Sequence, residues 1–356
     1  MRASRPSVRR GFSLVELMFA IAIGLFVVSA LYNLFTSQVK AFVYQDIQME
    51  MHQSSRLALD IMSRTARTAG LGTNGTTTGI FGAGGDADSA LPAIISYNGA
   101  GPNGSDAVTF VAMDASVAMT TWDDTPPACG TDELHFQADL MDNATSLAQY
   151  RAGELVMCYD VAAATLRSWM WELAGDGDPT GTLRVNSNTG YLDFDDDCSS
   201  SDNLPMVMKC ARADVVTFYI DADESDGIGP GSAEHPVLMM DMDLDAPSAN
   251  DVPLVDNVED LQVRYCLDDL DDTTLESCDD TSSSWVNSIT ASQAADVYMV
   301  RIEIVQRSSR EDPRRLYTGQ RPALADNPAS STTDHYFRLP SGTEATVRNF
   351  KMLRVL

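Results

Sequence analysis

Hydrophobic residues fall into three rhythms along the chain. From Phe12 to Phe35 the run FSLVELMFAIAIGLFVVSALYNLF is apolar almost throughout, with Glu16 as its one charge. As a helix rising about 1.5 Å per residue it would span roughly 36 Å, enough to cross a hydrocarbon core of about 30 Å. Proline is absent from Phe12 to Ala69, but the rhythm changes past the run, to steps of three or four through Val43, Ile47, Met51, Ser54, Ala58, Ile61, Met62, Ala66 and Ala69. That stripe predicts an amphipathic second half that packs on a globular body, with Met49, Leu57 and Leu59 lying off it. Gly70, Gly72 and Gly75 then supply the stop. Residues 71–90, rich in Gly, Thr and Ala, read as an exposed loop.

From Leu91 onward the rhythm is that of strands, in short apolar or alternating runs between Gly, Pro, Asn and Asp clusters. The candidates are DAVTFVAMD, ELHFQADL, ELVMCYD, TLRSWMWEL, DVVTFYIDAD, HPVLMMDMD, NVEDLQVRYCL and DVYMVRIEIVQR. One long helix followed by strands without βαβ alternation predicts an α+β fold, the helix packed on an antiparallel sheet.

Charge adds direction. The 356 residues carry 51 Asp and Glu against 24 Lys and Arg, a net charge of -27, which argues against a nucleic-acid backbone as partner. Arg2, Arg5, Arg9 and Arg10 nevertheless precede the apolar run with no acid among them. The positive-inside rule places the N-terminus in the cytoplasm and the body outside. A secretory signal cut after Ala30, at Val28-Ser29-Ala30, and a twin-arginine signal at Arg9-Arg10 both suit this pattern. Neither gives a reason for Glu16, since a carboxylate inside an apolar span costs about 2.5 to 3.5 kcal/mol on insertion scales.

The segment Arg9-Arg10-Gly11-Phe12-Ser13-Leu14-Val15-Glu16-Leu17-Met18 resembles the class III leader of type IV prepilins. The resemblance implies cleavage between Gly11 and Phe12 by prepilin peptidase, N-methylation of Phe12, and pairing of Glu16 with the amine of a neighbouring subunit, which sets subunit register. QSSRLALDIMSRTARTAG at residues 53–70, Val258 to Tyr265, the strand Val300 to Arg307 and Thr346-Val347-Arg348-Asn349 are similar to PilW-family minor pilins, whereas residues 71–250 carry no such likeness. That family implies a non-catalytic subunit that primes filament assembly at or near the pilus tip. Its implied partners are major and minor pilins, the inner-membrane assembly platform and a tip adhesin. The expected organisation is a cleaved cytoplasmic leader at 1–11, a transmembrane half-helix at 12–35, an amphipathic half at 36–70 and an extracytoplasmic, mainly-β domain at 71–356. A minor pseudopilin of a type II secretion system shares leader and helix, and a membrane-anchored adhesive protein that never polymerises is the reading from another class.

Cys129, Cys158, Cys198, Cys210, Cys266 and Cys278 are even in number, lie beyond the anchor and form no CxxC pair, so an oxidising compartment favours disulfides. The equal spacing of Cys198 to Cys210 and of Cys266 to Cys278 suggests two local loops. No cofactor is expected. Asp221, Asp223 and Asp226 are weak calcium candidates, as are the runs at 193–197 and 268–272, but none fits an EF-hand loop. The chain lacks GxSxG, HExxH and P-loop signatures, and His52, His135, His235 and His335 are far apart, so no enzyme is expected.

Overall fold

The amphipathic stripe is buried much as its spacing requires: Met51, Ala58, Met62, Ala66 and Ala69 are each at most 5% exposed in the computed structural model. This model describes residues 13–72, 92–114, 120–121, 133–135, 149–160, 168–173, 175–176, 182–184, 208–242, 247–248, 250–267, 278, 285–312 and 315–347. The chain divides into two compact units, Met1–Glu50 and Met51–Leu356. One helix, α1 (Leu14–Thr68), runs through both.

In the first unit α1 is apolar and exposed on every side from Leu14 to Phe35. In the second its small residues allow close approach to the sheets, and the details depart from the sequence pattern in two places. Ser55 rather than Ser54 is buried, its hydroxyl donating to Met51 O at 2.8 Å, and Leu59 joins the core, while Met49 and Leu57 stay exposed. A buried serine is tolerated in a helix because the carbonyl four residues back takes its proton. The helix ends where Gly70 adopts φ 78° and its amide donates to Val111 O at 2.8 Å. Gly72 follows at φ 81°, and a Cβ there would lie 2.1 Å from Met113 Sδ, so both conformation and space demand glycine.

The strands are β1 (Ile94–Tyr97), β2 (Ala107–Met113), β3 (Thr120–Thr121), β4 (Glu133–His135), β5 (Leu155–Asp160), β6 (Ser168–Glu172), β7 (Thr182–Arg184), β8 (Met208–Asp221), β9 (Val237–Asp241), β10 (Val252–Asp256), β11 (Val258–Leu267), β12 (Trp285–Val286), β13 (Val297–Arg307) and β14 (Arg338–Thr346). Every pairing among the described residues is antiparallel. The larger sheet follows β1-β2-β8-β5-β6, with β3 and β9 also on β8 and β10 on β9; the second runs β12-β11-β13-β14; β4 and β7 form a separate pair. Fourteen residues long, β8 spans the larger sheet and accepts four partners along its length.

One core joins α1 to both sheets. Ala58, Met62 and Ala66 share it with Phe110, Phe218 and Leu238 of the larger sheet and with Leu261, Val263, Tyr265, Ile302 and Ile304 of the smaller. Phe110 and Phe218 meet edge to face at 6.2 Å, a geometry that aromatic quadrupoles favour. A methionine-rich cluster of Met113, Met157 and Met170 with Val111 and Val215 lies along β2, β5, β6 and β8.

Candidate functional site

The first turn of α1 holds the only ionic group of the apolar span. Ser13 stands at the N-cap, where Val15 donates its amide to Ser13 Oγ at 3.3 Å and Ser13 donates its own to Glu16 Oε2 at 3.0 Å. This reciprocal pair satisfies two of the amides a helix start leaves unbonded, and a carboxylate suits the positive end of the helix dipole. Glu16 therefore already has a structural partner one residue beyond Phe12. Ser13 is absent from the sequence-based candidates, although the Ser-x-x-Glu spacing signals it. Gly11 and Phe12 lie outside the described residues. From Leu14 on, α1 is long and apolar enough to cross a membrane.

Of the cysteines, Cys266 on β11 is bonded to Cys278. The chain-entropy account gives a loop of this length about 3 kcal/mol. Cys266→Ser should accordingly lower unfolding stability by roughly that amount, read as the midpoint of a denaturant titration under oxidising conditions, and the loss should vanish when wild type is reduced. Cys210, fully buried on β8, is also disulfide-bonded. Cys129 and Cys198, and with Cys198 the expected Cys198–Cys210 loop, lie outside the described residues; Cys158 is placed by its backbone on β5, in register with Cys210. No free cysteine occurs among the described residues.

The calcium candidates do not come together as ligands. Asp221 Oδ1 accepts from Asp223 N at 3.1 Å and its Oδ2 from Gly231 N at 2.8 Å; Asp223 Oδ1 accepts from Ser225 N and Oγ; Asp226 Oδ1 accepts from Ile228 N at 2.9 Å. Each carboxylate fastens its own turn, and among the described residues no group of three or more His, Cys, Asp or Glu could hold a metal ion. The runs at 193–197 and 268–272 are outside the described residues. His235 pairs with Asn257 and His335 with Tyr317 O, while His52 is exposed on α1 and His135 lies on β4.

Among the described residues, the densest polar construction carries no local signal in the sequence. It lies along β11 and the connection from β13 to β14. Asp260, fully buried, is ion-paired to Arg321 and accepts from Gln262 Nε2 at 3.0 Å and Asn327 Nδ2 at 3.1 Å. Burial pushes the Asp260 carboxyl up, against the pull of Gln262, Arg321 and Asn327. Arg321 Nη2 also donates to Asn327 Oδ1 and Pro328 O, and Asn327 Nδ2 to Asn103 O, so the connection is tied both to β11 and to the loop ahead of β2. Farther along, Arg338 binds Glu259 through Nε at 2.6 Å and Nη2 at 2.9 Å, and Asp334 through Nη1 at 2.6 Å and Nη2 at 2.5 Å. Burial would lower the Arg338 pKa, but the two carboxylates raise it, and Arg338 in turn overcomes burial to hold Asp334 below the usual carboxylate range. Trp285 on β12 lies under two guanidinium groups, Arg301 at 4.6 Å and Arg264 at 5.9 Å, which are salted to Glu344 and Glu303.

These constructions fall inside a recognised segment. Residues 217–349 match the family model for type IV pilus-assembly protein W, from the second half of β8 through β14. Residues 6–32 match the prokaryotic N-terminal methylation motif. No curated protein and no solved structure gives a match. The motif and the apolar helix together provide a single-pass membrane anchor. A prepilin-type methylation motif at the head of an apolar helix and, over residues 217–349, a segment similar to type IV pilus-assembly protein W together support a type IV pilus-related pilin.

Proposed function

We propose that the chain is a minor pilin that primes filament assembly and stands at or near the pilus tip, acting as a non-catalytic subunit. The observation that carries this reading is the joint occurrence of the methylation motif on an exposed apolar helix and the pilus-assembly segment on the globular unit. Peptidase cleavage after Gly11 creates a new amine at Phe12, four residues ahead of Glu16. In lipid, Glu16 is held by the Ser13 amide of its own chain; in a filament it exchanges that neutral donor for a neighbour's charged amine. Charge-assisted hydrogen bonds are about twice as strong as neutral ones, and an unpaired amine or carboxylate among apolar helices is costly, so the exchange favours one register. The apolar flank passes from lipid to other helices without meeting water, which keeps the hydrophobic cost of extraction small.

The test is the mass of the N-terminal peptide in membranes and in sheared surface filaments. The expected result is N-methylated Phe12 in both fractions, at low copy number in the filaments. A start at Met1 or Leu31 overturns the reading. Processed chain found in membranes but never in filaments assigns it to a secretion apparatus or a non-polymerising anchor instead.

A further inference from the structure

Asp106 occupies the boundary between the two sheets. It follows a tight loop from Gly99, through the 3₁₀ turn Pro102–Gly104, into β2. Its amide donates to Leu261 O at 2.8 Å, and its Oδ2 accepts from Val263 N at 2.8 Å. Two residues of β11 are thus bonded as a partner strand would bond them, by one backbone group and one side chain. β12 reaches only Tyr265 and Cys266, so Asp106 continues the pairing of β11 where that strand stops. The second oxygen, Oδ1, accepts from Gly99 N at 2.8 Å and closes the loop on itself. Through this residue the β1–β2 hairpin of the larger sheet is fastened to the smaller one.

Among the described residues the clasp has no counter-ion. Asp106 is 2% exposed. From β11 it is faced by Asp260 and the fully buried Tyr265, and from the β13–β14 connection by Asp326, which also holds Asn98 at 3.3 Å. Arg321, the guanidinium of this joint, is bound to Asp260. An ionised Asp106 is therefore a buried carboxylate beside two like charges, with two amides as its hydrogen-bond donors.

We propose that Asp106 is a proton-operated clasp between the two sheets, closed most tightly when its carboxyl group carries a proton. A protonated carboxyl keeps a lone pair on each oxygen, so both amides retain an acceptor, weaker than the carboxylate's, while the larger cost of the buried charge disappears. Burial, countered by the Gly99 and Val263 amides and helped by Asp326 and Asp260, pushes the Asp106 carboxyl up to about 6 from its ordinary 3.8. The sign follows from linkage: the closed clasp binds the proton more tightly than an opened, hydrated carboxyl. Acidification favours closure, and that advantage is lost as pH rises through about 6. Between pH 7.5 and 5 the ratio of closed to open should rise about tenfold.

The experiment is amide hydrogen exchange on the full chain in detergent micelles, corrected for intrinsic exchange rates, at pH 5 and 7.5. The Gly99 and Val263 amides are expected to gain about tenfold protection at the lower pH, and the Val347 amide, bonded to Tyr298 O at 3.0 Å, to gain none. Asp106→Asn should flatten the response at Gly99 and Val263. Protection unchanged or reduced at pH 5, or an equal gain at Val347, overturns the clasp. A full response retained in Asp106→Asn overturns it as well, by assigning the proton to Asp260. Should Asp106→Asn fail to fold, the wild-type comparison decides alone.

Discussion

Gly11→Val is expected to leave the chain uncut, with an N-terminal peptide that starts at Met1 and carries no methyl group on Phe12. On the proposed reading the Gly11–Phe12 bond enters a peptidase at the membrane surface, and glycine offers the closest backbone approach of any residue. A β-branched side chain in that space obstructs the approach; a clash of about 3 kcal/mol leaves under roughly one per cent of the rate. The effect on assembly should be equally large. An uncut chain keeps Arg2, Arg5, Arg9 and Arg10 covalently ahead of Phe12, and no new amine forms to meet Glu16. Four guanidinium groups cannot follow the apolar helix into a bundle without losing their hydration, so the precursor should remain in the membrane fraction. Normal cleavage of Gly11→Val would remove the prepilin reading of the leader.

The leader and the helix are legible in the sequence because their signals are local. A run of apolar residues, a charge cluster ahead of it and a stripe at steps of three or four each depend on neighbours a few positions away. Even so, steps of three or four point to Ser54, whereas its neighbour Ser55 is the one that faces the core. Eight strands were visible as alternating or continuous apolar runs, and β11 and β13 nearly to their ends. The strand β14 was not: RLPSGTEAT contains proline and glycine and no apolar alternation, and it is held in place by its pairing with β13. Pro253 hid β10 in the same way, at a register shift on β9. The polar joint was beyond reach for a different reason. Asp260, Gln262 and Arg264 alternate with Leu261, Val263 and Tyr265, which signals a strand with one polar face, but nothing local says that Asp260 and Gln262 are buried. Their partners lie far off in sequence, Arg321 and Asn327 for Asp260 and the Asn103–Asp106 loop beyond them, and only the folded chain collects them.

Arg321→Ala should be the most destabilising single substitution in this joint. Arg321 and Asp260 have side chains 9% and 0% exposed, and removing one partner of so buried a pair costs about 3–5 kcal/mol, since the other is left charged without compensation. Asn327 Oδ1 and Pro328 O lose a donor at the same time, which loosens the β13–β14 connection from β11. Lysine would not restore the arrangement: one ammonium cannot reproduce a planar fork that serves Asp260, Asn327 and Pro328 together, so Arg321→Lys should recover only part of the loss. Replacing both partners, Asp260→Ala with Arg321→Leu, should cost less than Arg321→Ala alone, because no stranded charge remains. Acid should narrow the deficit of Arg321→Ala. Without the guanidinium, burial holds the Asp260 carboxyl higher still, and a proton then replaces the missing cation. The folded-state pKa is raised above the unfolded one, so the variant's stability is greatest at low pH and falls as pH rises through the folded value. Denaturant titrations of both proteins at pH 5 and pH 8 should therefore show the larger gap at pH 8. A deficit under about 1 kcal/mol at both would mean that the amides of Gln262 and Asn327 suffice for Asp260 and that the ion pair contributes little to holding the connection on the sheet.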